Sequence, residues 1–146
     1  MNLSLHFTLE ELTFSQTAVR LGIDNAPPPF VVDNLRRLAR SLEAVRTLLG
    51  GAILISSGYR SPELNEAVRG SKSSAHIRGL AADFTSPQYG TPRECALAIS
   101  RSDLIFDQLI SEGAWVHFGL AENGPRQELL TAHFGGGKVT YTTGIA

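Results

Sequence analysis

The chain has 146 residues, of which 42% are apolar and 18% charged; thirteen basic and fourteen acidic side chains give a formal net charge of -1. That is enough chain for one hydrophobic core, and its charge is too balanced for a disordered tail or a basic nucleic-acid surface. The first residues carry no basic stretch ahead of an apolar one, and no run approaches the roughly 18 apolar residues of a membrane span, so neither a secretory signal nor a span is expected. The single cysteine, Cys95, rules out an internal disulfide and reads as a small buried side chain.

Thr8 and Glu11 have capping-box spacing and open a helical region over 7–22, with Leu9, Leu12, Phe14 and Ala18 on its apolar side. Gly22 and Asn25 loosen the chain, and Pro27-Pro28-Pro29 gives a stiff, extended connection. Leu35, Leu38, Leu42, Val45 and Leu49 recur at spacings of three and four, the mark of one helix face, and Gly50-Gly51 ends that helix. The arginines between those positions read as a solvated face. Ala52–Ser56 is predicted to be a buried strand leading into the turn Ser57-Gly58-Tyr59-Arg60. Ser61-Pro62 starts a short helix that ends near Gly70, and Ser71-Lys72-Ser73-Ser74 is a polar loop.

Gly79 interrupts the next segment, and Leu80–Phe84 reads as a strand. Thr91-Pro92-Arg93-Glu94 is a second helix start with cap, proline and glutamate in place. Phe106–Ile110 and Trp115–Leu120 are predicted strands joined through Glu112-Gly113, which suggests an antiparallel pair. Residues 127–130 form a short element of undefined type. Gly135-Gly136-Gly137 is a turn, and Lys138–Thr142 is a last strand. The mixed order predicts an α+β fold with a mainly antiparallel sheet, in one domain over 1–146 whose helical segment (about 8–49) packs on the sheet-bearing part.

The chemistry concentrates in Ser74–Asp83 and Trp115–Gly119. His76 and Asp83 lie seven residues apart, a separation that one helix or a turn entering a strand could close. His117 stands in an apolar strand-like run, where alternation places it with Trp115 and Gly119 and opposite Val116 and Phe118. Two imidazoles and a carboxylate suit zinc with one coordination position left open. The bland alternative is a hydrogen-bonded core histidine beside a turn aspartate, and His133 could replace His117 as a ligand. His6 reads as a surface or packing residue. Glu112 and Asp107 compete as general base, with Glu112 preferred because it sits at the turn before the His117 strand. Arg60, at a strand end after a glycine-aromatic turn, is the candidate clamp for a carboxylate or an oxyanion. Tyr59, Trp115 and Ser74 are candidate substrate contacts; core packing of the aromatics and a loop cap at Ser74 are the alternatives.

Ser74, His76, Gly79, Ala81 and Asp83, preceded by Ser57-Gly58-Tyr59-Arg60-Ser61 and followed by Trp115-Val116-His117, resemble the zinc D-alanyl-D-alanine carboxypeptidase family. Within it the chain is similar to the carboxypeptidase and murein endopeptidase branch of bacteria, phages and prophages. The resemblance covers roughly residues 30–120, and Phe7-Thr8-Leu9-Glu10-Glu11-Leu12 adds to it. It implies the small α+β fold shared by D-alanyl-D-alanine peptidases and the hedgehog signalling domain. It also implies one zinc ion per chain on His76, Asp83 and His117, Arg60 near the substrate, and hydrolysis of amide bonds in peptidoglycan stem or cross-link peptides by metal-activated water. Synthesis in the cytoplasm with phage-dependent release to the wall fits this reading. One departure stands out. Familiar members carry the catalytic acid three positions before the last histidine ligand, where this chain has Ala114. Glu112 lies five before, which leaves open a second expectation: a zinc-containing but non-catalytic cell-wall-binding or phage structural module.

Overall fold

The computed structural model describes all residues, 1–146. Its frame is a six-stranded sheet in the order β1-β2-β4-β3-β5-β6. The strands are β1 (Leu54–Ser57), β2 (Ala81–Thr85), β3 (Gln108–Ser111), β4 (Val116–Gly119), β5 (Glu128–Gly135) and β6 (Lys138–Thr143). Five helices accompany them: α1 (Leu9–Thr13), α2 (Gln16–Leu21), α3 (Pro29–Leu49), α4 (Pro62–Ala67) and α5 (Pro92–Ser100). Neighbouring strands are antiparallel except β3 and β5, which run parallel. The fold is α+β with a mixed, mostly antiparallel sheet, as the sequence predicts, and no helix is long and apolar enough to cross a membrane.

Local chemistry sets the helix boundaries. Thr91 accepts from Glu94 N and Glu94 reaches back to Thr91 N, so both halves of the capping box form at α5. At α1 the threonine half forms, with Thr8 Oγ1 accepting from Glu11 N at 3.1 Å. Pro29 does not extend the connection before α3 but occupies its first turn, where a missing N–H costs nothing. The expected face of α3 is buried without exception, and Gly50 ends the helix in the left-handed conformation at φ 73°.

One apolar core joins that face to Leu12 of α1, Ile99 of α5 and the inward residues Phe84, Leu109, Val116 and Phe118 of the sheet. Each such leucine or phenylalanine contributes about 1.5–3 kcal/mol relative to an exposed position. The N-terminal helical segment therefore shares its core with the sheet.

Two strands differ from expectation. The run at 52–56 is not a buried strand: β1 starts at Leu54, forms an edge of the sheet, and leaves Leu54 55% exposed, while Ile53 alone of that run is buried. Of residues 127–130, Gln127 is left-handed at φ 50° and Glu128 begins β5, which pairs along its first half with β3 and along most of its length with β6. The β3–β5 pairing is parallel and non-local, so no local periodicity announces it.

Candidate metal centre

Asp83 sits in the middle of β2, and register places His117 of β4 directly opposite it. His76 comes from a single 3₁₀ turn, Ala75–Arg78, whose cap Ser74 accepts from His76 N at 3.2 Å. Gly79, left-handed at φ 71°, then turns the chain into β2. The seven-residue separation is thus closed by a turn entering a strand, not by one continuous helix. His76 Nε2 lies 3.3 Å and His117 Nδ1 3.1 Å from the same oxygen, Asp83 Oδ1. His76 and Asp83 are buried, and His117 is partly so.

The surroundings fix which atoms face inward. His76 Nδ1 lies 2.7 Å from the Gly58 carbonyl oxygen, an acceptor only, so Nδ1 carries the proton and Nε2 presents its lone pair. Burial holds the His76 imidazole below its ordinary pKa, against the pull of Asp83. Burial alone would push the Asp83 carboxyl up; His76 and the hydrogen bonds with His117 and His76 outweigh it and hold that group well below the usual carboxylate range.

These three residues fit a zinc ion. The donors are two imidazole nitrogens and one carboxylate oxygen, each able to offer an unprotonated atom. A tetrahedral centre with bonds of about 2.0–2.1 Å separates neighbouring donors by roughly 3.3 Å. The two separations from Asp83 Oδ1, 3.3 and 3.1 Å, match that edge, and all three donor atoms lie within 4.8 Å of one another. Three protein donors would leave a zinc ion one further position for water or substrate.

The cleft, of about 510 Å³, is lined by the triad and by Arg60, Glu112, Trp115 and Ser74. Glu112 lies just beyond β3, two residues past Ile110, which pairs with His117, and so projects from the same face. Burial raises its carboxyl pKa; His117 opposes and Asp83 adds to that rise. Arg60 Nη2 is 3.6 Å from Asp83 Oδ2, while its other nitrogens donate to Ser57 Oγ at 3.3 Å and Asn65 Oδ1 at 3.2 Å. Burial lowers the guanidinium pKa and the Asp83 charge opposes that shift.

The structure separates the remaining candidates. Tyr59 is 4% exposed, belongs to the apolar core and is not among the residues that line the cleft. Asp107 reaches the cleft rim, but Arg126 grips both its carboxylate oxygens, with bonds of 3.0 and 2.8 Å, and holds its pKa down. This grip ties the start of β3 to the chain entering β5. His133 lies exposed on β5 with Nε2 2.7 Å from Thr142 Oγ1, outside the ligand cluster. His6 pairs with Glu43 at the surface, and Cys95 is a buried core thiol.

Several residues position the site in ways the sequence reading did not assign to them. Gly58, which supplies the carbonyl for His76, has space for no side chain: a Cβ there would meet the Leu12 carbonyl oxygen at 2.3 Å. Asn65, 3% exposed on α4, accepts from Arg60 and donates to Ser71 O, tying clamp and serine loop together. Asn25 does not loosen the chain; it donates to Thr13 O and Tyr59 O and accepts from Ser61 N, fastening the N-terminal helices to the Arg60 loop. A bulge in β1 brings Ser57 opposite Asp83. Polar residues on or beside apolar helices were the only sequence signal for the two asparagines.

A sheet presenting Asp83 and His117, a turn presenting His76 and a separate carboxylate in the same cleft together make the arrangement expected of a metal-dependent hydrolase. Residues 5–118 match the family described as Peptidase M15, and the chain belongs to that family. It is consistent with the zinc D-alanyl-D-alanine carboxypeptidase-like resemblance and supports metallopeptidase activity at the general level. No curated protein matches the chain.

Proposed function

We propose that the protein is a zinc peptidase that hydrolyses amide bonds in peptidoglycan stem or cross-link peptides, with residues 1–146 acting as one peptidase domain. The observation that carries this reading is Glu112, a half-buried carboxylate in the cleft of the His76–Asp83–His117 cluster and not part of it. His76, Asp83 and His117 would hold one zinc ion per chain, which supplies Lewis acidity toward water and an amide carbonyl oxygen. Glu112, whose raised pKa suits proton exchange, takes a proton from water at one oxygen and returns it to the leaving amine. Arg60, braced by Ser57 and Asn65, donates to a substrate carboxylate or to the oxygen that gains charge. Trp115 offers an apolar wall, and Ser71, Ser73 and Ser74 offer hydroxyls to a peptide backbone from the opposite loop.

A second reading, a zinc-containing but non-catalytic wall-binding or phage structural module, rested on Ala114 standing where an acid is expected. The turn between β3 and β4 brings Glu112 to the cleft two residues earlier, with Glu112 N donating to Trp115 O at 3.0 Å. That placement supports the enzyme over the module.

The test is peptide release from purified sacculi by zinc-loaded wild type beside Glu112→Gln, with product masses identifying the bond cut and zinc quantified in both. Release by wild type alone, at equal zinc content, is expected. Equal zinc and no release by either protein would overturn the peptidase reading for this substrate.

A further inference from the structure

The row of residues that carries the ligands continues across the whole sheet. Asp83 on β2 faces His117 on β4, which faces Ile110 on β3, Leu130 on β5 and Thr143 on β6. Two residues along the strands, Ala132 on β5 pairs with Tyr141 on β6, and continuing the β3 register one residue past Ser111 sets Glu112 beside Ala132 on one side and Trp115, whose carbonyl accepts from Glu112 N, on the other. Residues two apart on a strand share a face, so Tyr141 stands on the ligand face, in the row of Glu112. Only Ala132, 7% exposed, lies between them. A side chain that small leaves Glu112 and Tyr141, about two strand spacings or ~10 Å apart at the backbone, free to lean toward one another.

Leu130, Tyr141 and Glu112 all line the same cleft. Tyr141 is 50% exposed, so its ring is a wall and not core. Burial and the Glu112 charge both raise its phenol pKa, and no hydrogen bond contributes to the shift. The hairpin β5–β6 is also seated on the turn that carries Glu112: a Cβ on Gly113 would lie 3.2 Å from the Phe134 ring. This hairpin lies wholly beyond the stretch 5–118 that matches the family.

We propose that Tyr141 contacts the bound peptide beside Glu112, its hydroxyl hydrogen-bonding the peptide and its ring packing on it, so that the β5–β6 hairpin sets which peptide the cleft accepts. This rests on the peptidase reading above. Tyr141 would fix the peptide's position without taking part in proton transfer, so its loss appears in binding and KM and leaves kcat close to wild type. Ala132 is the permissive half of the pair, because a larger residue there would separate Glu112 from Tyr141.

Trp115 is the single tryptophan of the chain and lines the same cleft, so its fluorescence reports occupancy directly. The probe is the muropeptide mixture released from purified sacculi by a muramidase, titrated into zinc-loaded Glu112→Gln protein with and without a Tyr141 substitution. Tyr141→Ala is expected to weaken binding about 10-fold and Tyr141→Phe about 3-fold, in keeping with a lost ring and a lost hydroxyl. In the protein with Glu112 intact, Tyr141→Ala should raise KM by a similar factor at unchanged zinc content and melting temperature. Binding and KM within twofold of the parent for both variants would overturn the proposal while leaving the peptidase reading intact. No binding and no hydrolysis even with Tyr141 present would overturn both. Ala132→Leu gives an independent check, expected to weaken binding with Tyr141 in place and to add little once Tyr141 is alanine; equal effects in both backgrounds would also count against the contact.

Discussion

His117 and Phe118 are neighbours on β4 and point to opposite faces of one sheet. Phe118 is 1% exposed, packed among Leu109, Phe84 and Phe106 in the core beneath α3 and α5. His117 faces the cleft with Asp83 and His76. The helix-covered face gathers apolar volume, while the open face gathers ionisable groups that a stability-driven sequence would avoid burying. The pleat keeps the two jobs on alternate residues, so each can be altered without the other.

The sharpest way to break that division is to mutate the neighbours in parallel. His117→Ala should lower peptide hydrolysis by at least about 10³-fold through loss of a metal ligand, while the melting temperature of the zinc-free protein stays near wild type. Phe118→Ala should do the reverse, costing about 3–5 kcal/mol in denaturant unfolding because it opens a cavity in a filled core. If zinc-free His117→Ala unfolded as readily as Phe118→Ala, the ligand face would be a structural one.

Glu112→Gln sharpens the comparison within the open face. It should reduce kcat by about 10²–10⁴-fold at unchanged zinc content. The raised Glu112 pKa also sets a sign for stability. A carboxyl raised above its unfolded value favours the folded state while both forms are protonated, and that contribution is lost as pH rises through the folded value. In zinc-free protein at neutral pH, the glutamine variant should therefore be slightly more stable than wild type in thermal unfolding.

Asp107→Asn is expected to have the smallest effect. Arg126 lowers the Asp107 pKa, so the pair stabilises the fold above the unfolded carboxyl value and the contribution fades as pH falls through the folded one. Because the Arg126 side chain is 58% exposed, solvent screening should keep the loss below about 1 kcal/mol. Hydrolysis should stay within a few-fold of wild type; a loss as large as that of Glu112→Gln would instead make Asp107 the base.

Local signals in the sequence carried far. The 3-and-4 spacing of α3, the cap–proline starts of α4 and α5, and the Trp115–His117–Gly119 alternation all correspond to what forms. Two kinds of feature stayed hidden. One is non-local pairing: the parallel β3–β5 contact and the edge position of β1 depend on residues far apart in the chain. The other is close packing that motifs do not encode. The burial of Tyr59, the backbone contact that leaves no space at Gly58 and the hydrogen bonds of Asn25 and Asn65 arise only once α1 and α4 dock. Tyr141 combines both, since an exposed strand tyrosine gains meaning only when register sets it across Ala132 from Glu112.

The most direct measurement is zinc affinity, by competition with a chromophoric chelator, for wild type, Asp83→Ala and His133→Ala. Wild type and His133→Ala are expected to bind one zinc per chain with equal affinity, and Asp83→Ala to bind at least about 100-fold more weakly. Wild-type affinity in Asp83→Ala, or its loss in His133→Ala, would contradict the centre built from His76, Asp83 and His117.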